Sequence, residues 1–327
     1  PDKLSWSECA TLAVLPNAPA LIYPGKNQPL LLKKRNRLLQ KLFENKKIDQ
    51  ETLALSLLEP IPDKFFPIPQ DVPHLLNRCI KENGEGMSLI TSIDLGLQTQ
   101  VNNLVEYHAK TYRASEIYNA AVIVADVNTG KVLSYVGNTK AFKKEDHGND
   151  VDIINSVRST GSLLKPYLYA GMINDGELLP GTLIPDIPTQ IGGFSPKNYN
   201  LTYDGAVPAW RALARSLNIP AVKLLQQHGL EKFHQQLKDI GLTTITRPAS
   251  EYGMSIILGG AEGKLWDLSG AYASMGRTVN HFSLYNGSYF KNDYRPLTYT
   301  ENVKYDDSKT TGQKLSAAAT WLTFEAM

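Results

Sequence analysis

The sequence predicts a mixed fold of α-helices and β-strands, on the strength of two local patterns and the composition. Asn119–Val127 and Lys131–Val136 alternate apolar and polar residues around the turn-forming Asn128-Thr129-Gly130, which is typical of a β-hairpin. Leu97–Ala114 instead repeats apolar residues at helical spacing. Of the 327 residues, 42% are hydrophobic, so the chain can bury a sizeable core in two modest domains, or in one domain and part of another.

Residues 1–60 predict three helices, of which the first is ended by Pro16-Asn17-Ala18-Pro19 and the third by Pro60. Apolar residues recur at helical spacing in Trp6–Leu15, Leu31–Asn45 and Asp49–Leu58. The second of these helices carries lysine and arginine on its outer face. Three short helices enclose only a thin core, so we interpret them as part of a larger domain.

Residues 61–87 separate these helices from the rest of the chain. They are rich in proline, which lacks the backbone donor that regular elements need, and they therefore predict a linker. Met87–Asp94 follows as a predicted strand. The predicted boundaries are thus 1–60, 61–87 and 88–327.

Ser162 and Lys165 are the candidate nucleophile and base. Two side chains three positions apart share a face only on a helix, and Gly161 and Pro166 both suit a helix start at Ser162. We expect this helix to end near Asp175. A serine hydroxyl is a poor nucleophile unless a group such as a neutral lysine takes its proton. The four-residue pattern by itself also fits an ordinary capped helix.

Ser216 and Asn218 form a second candidate pair. Pro220 suits the first turn of a helix that ends near His228, so the pair should lie on a short turn just ahead of that helix. From such a turn both side chains can project into a cleft, the serine to relay a proton and the asparagine to hold an amide. The alternative is that one of them only caps the helix.

The longer strings around both pairs resemble the transpeptidase domain of class A penicillin-binding proteins. The resemblance covers most of residues 88–327. It implies an α+β fold of the penicillin-binding-protein/β-lactamase type, with a central antiparallel sheet flanked by helices and a helical subdomain. The strings that carry the resemblance are Thr91–Gln98, Ala121–Gly137, Ser159–Pro166, Ser216–Val222, Met254–Gly260 and Leu268–Met275.

The resemblance implies a serine D,D-transpeptidase that cross-links the stem peptides of peptidoglycan. Ser162 would attack the D-Ala–D-Ala bond, and Lys165 would be its general base. Ser216 would relay the proton to the leaving amine, while Asn218 would position the donor peptide. β-Lactams such as penicillins would acylate the same serine. Serine attack, a lysine base and backbone donors suffice for this chemistry, so we expect neither a metal nor a cofactor.

A stretch rich in proline and glycine, from Pro185 to Asn200, lies between the two pairs. It predicts a long irregular segment, which in a compact domain is usually functional or covers a core. We interpret it as a wall of the substrate cleft, with Tyr199, Tyr203 and Trp210 as candidate substrate contacts. The alternative is that these aromatic side chains are buried.

A second resemblance concerns the N-terminal helices. Leu4–Pro19 and Lys34–Leu39 are similar to the end of the lipid II glycosyltransferase domain of class A enzymes, so residues 1–60 would be a short all-α remnant of that domain. The catalytic carboxylates of such a domain should lie upstream of Pro1. We therefore do not expect glycosyltransferase activity in this chain.

The same resemblance assigns roles to three polar residues and a setting to the parent protein. Glu8 is interpreted as structural, while Lys34 and Arg35 would either contact a lipid pyrophosphate in a complete domain or form a solvated basic face. The implied partners are lipid II and glycan strands. The implied location is the periplasmic face of the inner membrane, reached through an anchor ahead of this chain. The chain itself has no apolar run long enough to cross a bilayer and is expected to be soluble.

The third box of the family, a Lys-Thr-Gly on an edge strand facing Ser162, has no clear counterpart. Lys309-Thr310-Thr311-Gly312 has one residue too many and lies among loop-forming residues. Ser316–Phe324 predicts a helix and resembles the helix that precedes the true box in relatives. We therefore expect the chain to end before that strand, Lys309 to have no catalytic role, and the chain alone to be weakly active or inactive.

The remaining features favour simple interpretations. A formal net charge of +2 argues against nucleic acid as the main partner. Cys9 and Cys79 match no metal or redox spacing and are either small buried hydrophobic residues or one disulfide. His108 is expected at the edge of a core, and Gly259-Gly260 at a site of close packing.

Two other classes of function stay open from the sequence. A β-lactam hydrolase or sensor of the same fold would also be acylated, but a hydrolase needs a carboxylate that activates water, and the boxes assign none. A non-catalytic scaffold would bind cell-wall machinery through the basic N-terminal helices.

Overall fold

The structure, a computed structural model, describes residues 4–17, 22–64, 69–142 and 147–327. They belong to two units, Pro1–Gln70 and Asp71–Met327. Each unit has its own hydrophobic core. None of the helices in the described ranges is long and apolar enough to span a membrane.

The first unit contains three helices, as the apolar spacing predicts. The first helix begins at a capping box, in which Ser5 Oγ accepts from the Glu8 N–H at 3.0 Å and the Glu8 carboxylate accepts from the Ser5 N–H at 2.9 Å. This geometry confirms the structural interpretation of Glu8. The helices are α1 (Trp6–Val14), α2 (Gln28–Glu44) and α3 (Gln50–Leu58).

Arg35 links the three helices of the first unit. Its side chain is fully buried, and its guanidinium donates to Ser7 Oγ at 2.9 Å and to the carbonyl oxygens of Leu57, at 3.3 Å, and Glu59. The carbonyl groups at the end of α3 have no helical partner, and Arg35 satisfies them. The prediction of a solvated basic face is therefore wrong for Arg35. The buried core of this unit consists of Ala10, Leu39, Ile48 and Leu53.

The second unit begins with a helix where the sequence predicted a linker. In Pro73–Asn83 the proline occupies the first turn, where its missing N–H is tolerated. Leu75 and Cys79 of this helix are buried in a cluster with Tyr135. The linker prediction is thus wrong for this segment, while residues 65–68 of the predicted linker lie outside the described residues. The helices of the second unit are α4 (Pro73–Asn83), α5 (Leu95–Tyr112), α6 (Lys165–Asn174), α7 (Ala209–Ala214), α8 (Asn218–His228), α9 (Leu230–Asp239), α10 (Ala249–Tyr252), α11 (Leu265–Leu284) and α12 (Ala317–Ala326).

The predicted hairpin is present. Its strands pair antiparallel, with Val122 opposite Val136, and the Asp126 carboxylate closes the turn by accepting from the Thr129 N–H at 2.7 Å. The strands of the described residues form two-stranded antiparallel sheets that join β1 to β2, β3 to β6, β4 to β5 and β7 to β8. They are β1 (Val122–Ala125), β2 (Val132–Val136), β3 (Arg158–Ser159), β4 (Leu183–Asp186), β5 (Gly205–Pro208), β6 (Glu262–Gly263), β7 (Tyr289–Phe290) and β8 (Lys309–Thr310).

The mixed fold class is confirmed, but one predicted strand and one predicted loop are wrong. Met87–Asp94 forms no regular strand: it makes one isolated bridge, between Thr91 and Thr300, and its last residue, Asp94, caps α5 by accepting from the Leu97 N–H at 2.7 Å. The segment that begins at Lys309 was predicted as a loop, whereas it forms β8 and pairs with β7.

The helix α6 lies at the centre of the second core. All residues from Lys165 to Met172 are buried, and α6 packs against α8, α9 and α12. The predicted helix near the C-terminus is confirmed as α12, which Ser316 caps. The two cysteines are free thiols, and only Cys79 is buried, so the prediction of a buried residue is wrong for Cys9.

Candidate active site

Ser162 lies on the turn that precedes α6, three residues before the helix begins. The sequence predicted that the helix would start at Ser162 itself. Pro166 explains the difference: inside a longer helix its ring would clash with the Ser162 carbonyl, so Pro166 must stay in the first turn. The Ser162 carbonyl instead accepts from the Lys165 N–H at 3.1 Å. The side chain of Ser162 is exposed, and its hydroxyl has no hydrogen bond to another described residue.

The segment around Gly259 holds this turn through hydrogen bonds and close packing. Ser159 Oγ donates to the Gly259 carbonyl at 2.8 Å, and the Thr160 N–H donates to the Ala261 carbonyl at 3.1 Å. Gly259 has a φ of +101°, and a Cβ there would lie 3.0 Å from the Cα of Gly161. The close packing expected of Gly259 is therefore confirmed.

The helix α7 ends in a Schellman motif, and Ser216 is the residue that follows its C-cap, Arg215. The Ser216 N–H donates to the Leu213 carbonyl at 2.8 Å, and the Leu217 N–H donates to the Ala212 carbonyl at 3.0 Å. This position needs a positive φ and usually holds glycine, whereas here Ser216 adopts a φ of 52°. A serine in this strained conformation indicates that its side chain has a use, and the predicted turn ahead of α8 is confirmed.

Lys165 joins the two predicted pairs. Its Nζ donates to the Ser216 carbonyl at 2.7 Å, to Ser216 Oγ at 3.2 Å and to Asn218 Oδ1 at 2.7 Å. The residue is only 4% exposed, and burial lowers the pKa of the Lys165 amine to about 8. The three acceptors match the three donors of an ammonium group. The structure thus joins Lys165, Ser216 and Asn218 by hydrogen bonds. Ser162 precedes Lys165 by three residues in the chain.

The aromatic candidates are all exposed. Tyr199 has its whole side chain in solvent, and Tyr203 and Trp210 are 40% and 47% exposed. The alternative that they are buried is therefore wrong, and their contact with substrate stays a prediction. The segment that carries them is less irregular than predicted, because β4 and β5 pair across it.

Two other residues of the sequence analysis lie apart from this cluster. Lys309 is exposed in β8, and no hydrogen bond joins it to Ser162 or Lys165. His108 is exposed on α5, where it stacks on Tyr112 with ring centroids 5.8 Å apart.

A second polar cluster lies at the far end of α6. Asp175, Glu177 and His228 offer ligand atoms within 4.8 Å of one another. Lys232 already supplies a cation there, with Nζ at 2.5 Å from Asp175 and 2.6 Å from Glu177. We interpret this cluster as an ion-pair network that ties α6 to α8 and α9.

Two buried residues next to the site were missed by the sequence analysis. Asn198 is 2% exposed and accepts from the N–H groups of Asn218 and Ile219, while Asp186 is fully buried and accepts from Asn198. The only signal in the sequence is their position in the segment between the boxes. Polar residues in a loop are ordinarily exposed, so nothing in the sequence distinguishes these two.

The comparisons with known proteins agree with this geometry. Residues 120–277 match the family described as the penicillin binding protein transpeptidase domain. Residues 120–277 therefore belong to the transpeptidase domain family of the penicillin-binding proteins. It is similar to penicillin-binding protein 1C of Escherichia coli K12, with 32% identity over 85% of this chain and 36% of that relative. The string Ser159–Lys165 also resembles the 1C type.

Other relatives agree. Penicillin-binding protein 1B of Haemophilus influenzae is 26% identical over 75% of this chain and 34% of its own length, so the chain spans about a third of these curated relatives. Among solved structures, penicillin-binding protein 1A of Haemophilus influenzae has a TM-score of 0.63 at 17% identity, over 99% of this chain and 67% of that one. The transpeptidase domain of Burkholderia pseudomallei penicillin-binding protein 3 has a TM-score of 0.55 at 19% identity, over 72% and 69% of the two chains. The predicted fold class is thereby confirmed, whereas the strands of the described residues pair only in two-stranded sheets and not in the expected central antiparallel sheet.

Proposed function

We propose that this chain is a large part of a serine D,D-transpeptidase that cross-links peptidoglycan stem peptides and is acylated by β-lactams. The observation that carries the proposal is the buried Lys165 amine, hydrogen-bonded to Ser216 and Asn218 and three residues from an exposed Ser162. A lysine whose pKa burial lowers to about 8 is neutral in about a tenth of the molecules at pH 7. That neutral fraction can act as a base.

The proposed reaction has two steps that share one serine. Ser162 Oγ attacks the carbonyl carbon of the penultimate D-Ala, and its proton passes to Lys165. Ser216 relays a proton to the amine of the leaving D-Ala as the peptide bond breaks. The acyl-enzyme at Ser162 is then attacked by an acceptor amine, which regenerates the hydroxyl. Asn218 positions the donor peptide, and Tyr199 and Tyr203 are proposed contacts of that peptide.

We also propose a domain, partners and a location for the parent protein. The N-terminal helices would be the end of a lipid II glycosyltransferase domain, with lipid II and glycan strands as its partners. The protein would be anchored at the periplasmic face of the inner membrane. The strings Leu4–Pro19 and Lys34–Leu39 support this proposal.

Mass spectrometry after incubation with a penicillin tests the proposal. We expect a stable adduct on Ser162 that is absent from Ser162→Ala. Fast turnover of the drug would favour a hydrolase, and no adduct, in this chain or in the full-length protein run in parallel, would favour a scaffold.

A further inference from the structure

The helix α8 has no local N-cap, although it carries Asn218 into the site. Leu217 stands at the cap position, and its side chain has no polar atom to accept from the first N–H groups. Asn198, twenty residues earlier in the chain, supplies the cap: its Oδ1 accepts from the Asn218 N–H at 3.0 Å and from the Ile219 N–H at 3.3 Å. The start of α8 is therefore held by a distant segment rather than by its own sequence.

The carboxamide of Asn198 is fixed in one orientation. Its Nδ2 donates to Asp186 Oδ1 at 2.7 Å and to the Thr202 carbonyl at 3.0 Å. The other oxygen of Asp186 accepts from the Asp204 N–H at 2.9 Å, so both carboxylate oxygens are used. A flipped Asn198 would point its NH₂ at two N–H groups and its oxygen at two acceptors, which the hydrogen-bonding pattern forbids.

The same segment also orients the side chain of Asn218. Asn218 Nδ2 donates to the Lys197 carbonyl at 2.9 Å, which leaves Oδ1 directed at Lys165 Nζ, 2.7 Å away. A continuous set of hydrogen bonds thus runs from Asp186 through Asn198 and Asn218 to the amine of Lys165. The first two members are buried and touch none of the reacting atoms.

We propose that Asn198, held by Asp186, is a positioning residue for the transpeptidation site: it fixes the start of α8 against the 197–198 segment, so that the Lys197 carbonyl can orient the Asn218 carboxamide towards the Lys165 amine. This inference rests on the proposed function for its catalytic consequence. The hydrogen-bond geometry that it describes does not depend on that function. The two can therefore be tested separately.

The first test measures the protonation of Lys165 in the free protein. Nuclear magnetic resonance titration of its side chain is compared in the wild type, Asn198→Ala and Asn200→Ala. Asn200 belongs to the same segment but is exposed and accepts only from the Thr202 N–H at 3.3 Å. We expect the pKa of Lys165 to fall in Asn198→Ala, because the ammonium loses a fixed acceptor, and to stay unchanged in Asn200→Ala. An unchanged pKa in Asn198→Ala would overturn the proposal.

The second test is a rescue. Asn198→Asp places a carboxylate against Asp186 and should lower the rate of acylation by a penicillin between about ten- and a hundredfold, since small displacements of catalytic groups cost that much. The double variant Asp186→Asn with Asn198→Asp exchanges donor and acceptor between the two positions and should restore part of the rate and shift the pKa of Lys165 back towards the wild-type value, because only the Thr202 carbonyl still lacks its donor. A double variant as slow as Asn198→Asp, with Lys165 still shifted, would contradict the inference. If the wild type itself is not acylated, the proposed function fails, and the titration still decides the positioning role.

Discussion

Lys165 shows how one buried residue can be adapted for base chemistry. Its amine is removed from solvent in the core of the second unit, and burial lowers its pKa from 10.5 to about 8. At a pH between 8 and 10.5, the Lys165 amine is mostly protonated in the unfolded chain and mostly neutral in the folded one. The folded state therefore carries a cost for Lys165 that is fully present below pH 8 and disappears as the pH rises towards 10.5.

This linkage predicts how stability depends on pH. The free energy of unfolding should rise between pH 8 and 10.5, with a contribution of up to about 3 kcal/mol from Lys165. Lys165→Met should lack that contribution, whereas Lys238→Met, which removes an exposed lysine of α9, should keep it. Urea unfolding of the three proteins across this range measures the difference. Parallel curves for the wild type and Lys165→Met would show that the amine is not perturbed.

Substitution of Ser216 by glycine can separate the effect of backbone strain on stability from the effect of the hydroxyl group on acylation. Because its φ of 52° suits glycine, Ser216→Gly should leave the fold intact and change its stability favourably, by up to about 1 kcal/mol. Asn286→Gly, at another residue with a φ of 52°, serves as the control for strain. Only Ser216→Gly should slow acylation by a penicillin, because it removes the proposed proton relay. Equal acylation rates in both variants would exclude a role for the Ser216 hydroxyl.

At the scale of elements, the start of α6 depends on a neighbouring loop. Proline at position 166 delays the helix, and the pairing of β3 with β6 holds the turn that carries Ser162. Gly259 makes this possible because only a residue without Cβ can approach Gly161 so closely. The position of the nucleophile is thus determined by packing between segments distant in sequence.

A comparison of two glycines tests this dependence. Gly259→Ala combines a positive φ with a Cβ only 3.0 Å from Gly161, whereas Gly176→Ala combines a positive φ with open space. We expect Gly176→Ala to cost about 1 kcal/mol, and Gly259→Ala to cost a further 1–3 kcal/mol, roughly, from overpacking. Chemical denaturation measures both. A cost at Gly259 no larger than at Gly176 would mean that the loop relaxes without affecting the turn.

At the scale of the whole molecule, the two units differ in how they are held together. The second unit has a large apolar core around α6, while the first has a small core and relies on the buried guanidinium of Arg35. Removal of a buried charged donor leaves its acceptors unpaired, which is costly. The integrity of the first unit should therefore depend strongly on one polar side chain.

Hydrogen exchange tests this dependence. In Arg35→Met, amide exchange throughout α1, α2 and α3 should accelerate as the unit loses about 1–3 kcal/mol of stability from the acceptors left unpaired. Lys34→Met changes the neighbouring, half-buried lysine and should leave the exchange rates nearly unchanged. Slow exchange in Arg35→Met would show that the apolar contacts alone are sufficient.

The sequence by itself determined the local elements and the residue types of the site. Helical spacing located α1, α2, α3 and α5 to within a few residues, and the turn signal located the β1–β2 hairpin, because both depend on interactions between near neighbours. Spacing made Lys165, Ser216 and Asn218 candidates, and the resemblance of the longer strings to the transpeptidase domain distinguished them from capping residues.

Tertiary structure alone decided the rest. Whether residues 73–83 form a linker or a helix, and whether Arg35 faces water or carbonyl groups, depends on partners that are distant in sequence. The burial of Asn198 and its bonds to the start of α8 have no local signal either. A pattern within a few residues reports the preferences of the backbone, whereas burial and hydrogen-bond partners are set only when separate segments pack against each other.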